Sequence, residues 1–103
     1  MLELQAMKLP RTRNSSTERL LIDDAFDAYL EWREESAEVW HTYERWKGAP
    51  AREAREKFWA YRAALEREEH AARVYGRLVS QLEARARERA ETQRRSHVRP
   101  LLS

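Results

Sequence analysis

Two stretches with the same alternating three- and four-residue spacing of apolar side chains face each other across Gly48-Ala49-Pro50. Outward from that tripeptide one arm reads Trp46, Tyr43, Val39, Ser36, Trp32, Tyr29, Ala25 and Ile22. The other reads Ala51, Ala54, Phe58, Tyr61, Leu65, Glu68, Ala72 and Tyr75. Seven of eight positions are apolar in each arm, in a chain that is 42% apolar. Residues three and four apart share one face of a helix, so the spacing predicts two amphipathic helices joined by a tight turn. So short a turn forces the helices antiparallel, and the expected fold is all-α: a two-helix, coiled-coil-like hairpin.

The ends are read from local signals. Ser15-Ser16-Thr17-Glu18 fits a capping box, in which the Ser15 hydroxyl accepts the Glu18 amide and the Glu18 carboxylate reaches back. Helix 1 is therefore expected over 15–47, with 1–14 as a tail. Gly48 is the expected left-handed closing residue, and Pro50 supplies a fixed φ at a first helical position. That gives a turn at 48–50 and helix 2 over 50–95, its stripe continuing through Val79, Leu82 and Ala86, with 96–103 irregular around Pro100. Leu2, Leu4, Met7 and Leu9 are candidates to fold back over the helix 2 extension.

A symmetric turn also implies a register. Residues whose numbers sum to about 97 should lie level, which sets Trp46 against Ala51, Tyr43 against Ala54 and Ser36 against Tyr61, large meeting small as interdigitating layers require. Glu68 falls level with Tyr29, whose hydroxyl is placed to donate to it.

Apolar residues outside the stripe suggest partners. In heptad letters with Ile22 at a, the g positions Leu21, Ala28, Ala64, Ala71 and Leu78 form a small-residue strip suited to self-association, with two hairpins closing into a four-helix bundle as a homodimer. Trp40 and Phe26 at e and Trp59 at b have no place in the stripe. They are candidate anchors for a different protein, with Arg55 near enough to cover the Trp40 indole.

With 103 residues there is room for one domain whose hairpin buries little of its surface. Cysteine is absent, which excludes disulfides, thiolate metal sites and a cysteine nucleophile. Charged residues make up 37% of the chain and glycines number two, a balance that argues against sheets and phosphate-cradling loops. No nucleophile, base and oxyanion hole are grouped, so the expectation is a non-enzymatic protein with no cofactor. No metal is expected either. Glu38-Val39-Trp40-His41 has a di-iron spacing but falls at outward c and f positions, and Arg67 stands three before His70 where ferritin-like proteins need a carboxylate. No apolar run approaches the roughly 20 residues of a membrane span and Met1 to Pro10 lacks a leader pattern, so a cytoplasmic protein is expected.

Charge is divided along the chain. Residues 15–82 hold fourteen acids against eleven bases, and 83–103 hold three acids against six arginines. Asp23, Asp24, Asp27, Glu31, Glu34, Glu35 and Glu38 make the outer side of helix 1 acidic. Arg85, Arg89, Arg94 and Arg95 offer a second functional reading, contact with nucleic-acid phosphates, which the interleaved glutamates dilute. A third comes from the turn. Trp46-Lys47-Gly48 resembles the Trp-x-Gly signature of a family of small secreted helical hairpins that pair with a second hairpin and act as exported substrates or effectors. The resemblance rests on three residues and implies export without a signal peptide. The family's Tyr-x-x-x-acid signal is not matched, since Val79 follows Tyr75 where the acid belongs.

Overall fold

In a computed structural model the chain forms two helices, α1 (Leu2–Lys47) and α2 (Ala51–Leu102), that meet as a hairpin. The structure describes residues 2–102, with side chains from 16 to 96, and no strand occurs among them. The hairpin divides into a turn-bearing unit, Ala25–Arg77, and a chain-end unit, Met1–Asp24 with Leu78–Ser103. The proposed fold-back of Leu2, Leu4, Met7 and Leu9 lies outside the described side chains, as does His97.

Both helices extend past their expected ends. Ser15 does not start α1, and Arg95 does not end α2. A capping box is a local competitor to helix continuation and wins only where the preceding residues favour another conformation; here Leu2 to Lys8 are mostly strong helix formers. In the chain-end unit the Glu18 carboxylate pairs with Arg89 of α2.

The turn also closes differently. Among the described residues no glycine has positive φ, so Gly48 is not a left-handed cap. Its amide continues the α-helical pattern by donating to the Glu44 carbonyl at 3.1 Å, and Ala49 N–H then tightens the last turn by donating to the Trp46 carbonyl at 3.1 Å. Orphan carbonyls at a helix end are commonly satisfied by such a shorter-range bond. Pro50 precedes α2 as its cap, its carbonyl accepting the Glu53 amide at 2.9 Å.

Across the turn-bearing unit every expected level pair is displaced by one heptad. Tyr43 meets Tyr61 at 5.7 Å between ring centroids instead of Ala54, Trp46 meets Phe58 at 5.0 Å instead of Ala51, and Ser36 meets Glu68 instead of Tyr61. Tyr29 meets Tyr75 at 5.6 Å, and its hydroxyl accepts a hydrogen bond from Arg33 at 3.0 Å instead of donating to Glu68. The cause is side-chain direction. Helical side chains lean toward their own N-terminus, so in an antiparallel pair those of α1 reach away from the turn and those of α2 reach toward it. A heptad is roughly 10 Å of rise, or about 5 Å of lean for each partner, within the reach of Tyr or Trp. Aromatic therefore meets aromatic, and the large-against-small layering is not the one realised.

The innermost line of the hairpin has moved as well. Among the described residues those buried are Ala25, Thr42, Ala64 and Ala71, three of them at g positions, whereas Ile22 at a is 52% exposed. Each helix is thus turned so that small side chains, not the centre of the apolar stripe, lie innermost. An alanine at that line lets two backbones come together and fills the space with dispersion contacts, where an indole would wedge them apart. Thr42 tolerates burial because its hydroxyl donates to carbonyls of its own helix, Glu38 at 2.9 Å and Val39 at 3.0 Å.

Candidate functional site

With only two helices in contact, an aromatic on either flank of the seam keeps one side open. Among the described residues no large side chain is fully buried. Near the turn, six rings form an unbroken series: Trp40 on Tyr43 (5.8 Å), Tyr43 on Tyr61, Tyr61 on Trp46 (5.5 Å), Trp46 on Phe58, and Phe58 on Trp59 (5.6 Å). Further from the turn, Tyr29, Trp32 and Tyr75 make a second cluster, Trp32 and Tyr75 stacked at 5.7 Å with 16° between planes. Glu68 anchors this cluster: Trp32 Nε1 donates to its Oε2 at 2.8 Å and Ser36 Oγ at 3.4 Å.

The three proposed partner anchors all lie at the surface. Trp40 is 61% exposed, Trp59 56% and Phe26 58%. Leu30, which the sequence reading passed over, joins them at 47%. Its signal was its position one turn beyond Phe26, on the same side of α1. Trp40 and Trp59 are the two ends of the ring series near the turn, so each exposes one edge while its other side is fixed by a neighbouring ring. The cation expected over Trp40 is instead Arg62 over Trp59, at 6.0 Å, and Tyr43 carries Lys47 at 5.6 Å.

The five-residue self-association strip does not lie free as drawn. Ala64 is 0% exposed and Ala71 8%, both consumed by closure of the hairpin itself; Leu21, Ala28 and Leu78 are half-buried. The strip leaves a groove of about 620 Å³ in the turn-bearing unit, with Ala28, Ala63, Ala71 and Val74 along its floor. Glu31 and Glu35 form the α1 wall, and Glu66, Arg67 and His70 the α2 wall. Arg67 Nε donates to Glu35 across the groove at 3.3 Å.

The C-terminal arginines are largely accompanied by carboxylates. Arg89 pairs with Glu18, Arg94 and Arg95 both approach Glu91 at 3.8 and 3.9 Å, and Arg85 is half-buried. Such pairing weakens the field that would attract a phosphate backbone. His41 stands 3.9 Å from Glu38, whose other oxygen faces Arg45 at 3.7 Å, in an open surface pair. Among the described residues no three side chains of metal-binding type converge, and no helix is long and apolar enough to cross a membrane. No family, no curated protein and no solved structure matches this chain.

Proposed function

We propose that this hairpin is a non-enzymatic protein-interaction module that engages a different protein through the edge formed by Phe26, Leu30, Trp40 and Trp59. Four large apolar side chains, each about half exposed or more, on a chain that is 37% charged carry this reading. Charged residues are plentiful enough to cover that edge, yet apolar ones occupy it. Exposed Trp held rigid by a neighbouring ring loses little rotamer freedom on binding, which is the property of an interface anchor.

Affinity capture from the source cell with the intact chain and with a Trp40→Ala/Trp59→Ala variant tests it. The reading expects a specific protein held by the intact chain and lost by the variant, since truncating a central Trp costs about 2 kcal/mol or more. Retention of the same protein by a variant of unchanged helicity contradicts it.

A further inference from the structure

We propose that the outer face of α1 between Phe26 and Trp40 receives an amphipathic helix of another protein, one that carries lysine or arginine along one flank. This rests on the reading of the exposed edge given above and names the kind of partner that edge takes. Phe26, Leu30, Ala37 and Trp40 are all exposed, and their spacing sets them along one side of α1 over roughly 21 Å of helix. Phe26 is 58% exposed and Leu30, one turn on, is 47%. Together they make a ridge of the kind a second helix packs against. Among the described residues Phe26 is also the one aromatic side chain that meets no other ring, whereas Trp40 and Trp59 each lean on a neighbour.

Charge says what fits there. Exposed Asp27 and Glu34 run along the side of this row away from the seam, with exposed Glu31 behind them. None of the three has an ion-pair partner among the described residues, although Glu35, Glu38 and Glu44 of the same helix each have one. Arg33, the one base between Phe26 and Trp40, lies on the seam side of the row and is folded back onto Tyr29, 3.0 Å from its hydroxyl and 5.9 Å from its ring centre. A cationic flank neutralises the carboxylates beside the ridge, and an acidic one is repelled. Asp27 and Glu34 stand two turns apart, roughly 10 Å, so bases seven residues apart on the partner meet both while its apolar residues pack against Phe26 and Leu30. A contact one helix wide belongs with the smaller, transient interfaces, so binding is expected at roughly 10–100 µM.

Fluorescence anisotropy with two synthetic probes tests the proposal on the full chain: a labelled amphipathic helix of leucine and lysine, about five turns long, and its leucine and glutamate counterpart. Circular dichroism confirms the fold of each variant. The leucine-lysine probe should bind at least about tenfold more tightly than the other, and its binding should weaken as salt screens the pairs. Phe26→Ser/Leu30→Ser should lose about tenfold or more, and Asp27→Lys/Glu34→Lys should weaken the lysine probe and strengthen the glutamate one. Equal binding of both probes overturns the proposal, as does a preference unmoved by the charge reversal or a lysine probe indifferent to Phe26→Ser/Leu30→Ser. Self-association of the wild type in sedimentation velocity, abolished by Phe26→Ser/Leu30→Ser, would give the face to a second copy and also overturn it. A protein captured by the intact chain and lost by Trp40→Ala/Trp59→Ala, with no preference for the lysine probe, would leave the edge a protein-binding surface and overturn the basic helix as its occupant.

Discussion

Replacing Ala64 by leucine separates the observed seam from the one that periodicity alone suggests. Ala64 is 0% exposed, so three added carbons have nowhere to go. Overpacking a filled site costs about 1–3 kcal/mol, and at about 4–8 °C per kcal/mol for a domain near this size the melting temperature should fall by roughly 5–20 °C. If the centre of the apolar stripe were innermost, a flanking alanine would accept leucine with little loss, and Ile22 would be the sensitive position. Ile22 is 52% exposed, so Ile22→Ala should cost under about 1 kcal/mol, well below the 2–5 kcal/mol of a buried isoleucine. The assay is thermal unfolding followed by circular dichroism at one fixed protein concentration, because self-association would shift both midpoints. An Ala64→Leu variant melting within a degree or two of wild type, or Ile22→Ala proving the more damaging, would refute the rolled seam.

Three further substitutions have signed outcomes. Gly76 lies inside α2 with open space where a Cβ would stand, so Gly76→Ala should stabilise by about 0.5–1 kcal/mol, read as a higher urea midpoint with unchanged m. Gly48→Ala should be neutral or mildly stabilising, since φ is negative there and a Cβ would meet only the Glu44 carbonyl at 3.6 Å; a loss near 1 kcal/mol in the same titration would mean a left-handed turn after all. Trp32→Phe keeps much of the ring but removes the donor to Glu68, and should cost about 1 kcal/mol in chemical denaturation, with no loss if that hydrogen bond is absent in solution.

The hairpin itself was legible because its two signals are independent: the mirrored stripes set the face of each helix, and Gly48-Ala49-Pro50 interrupts them at one place. What the stripe cannot encode is axial position. A heptad pattern slid by seven residues matches itself, so Tyr43 opposite Ala54 and Tyr43 opposite Tyr61 look alike until the lean of real side chains is counted. Nor does a wide apolar face say which of its lines lies innermost. Ala64 and Ala71 were visible as small residues and were assigned to a second copy, when a pair of helices with bulky aromatics first uses its smallest side chains to approach each other. The exposure of Trp40, Trp59 and Phe26 was legible because each breaks the periodic pattern. The groove was not, since Glu31, Glu66 and His70 belong to no stripe and only closure of the hairpin brings them together with Ala63 and Val74.

A through-space NMR experiment on ring protons of the full chain interrogates the hairpin most directly, because its helices are joined by aromatic pairs far apart in sequence. Cross-peaks between the Tyr43 and Tyr61 rings and between Tyr29 and Tyr75 are expected, at centroid separations of 5.7 and 5.6 Å. Cross-peaks from Tyr43 to the Ala54 methyl and from Tyr61 to Ser36, with none between those ring pairs, would contradict the register, and the absence of any peak between α1 and α2 would contradict the hairpin.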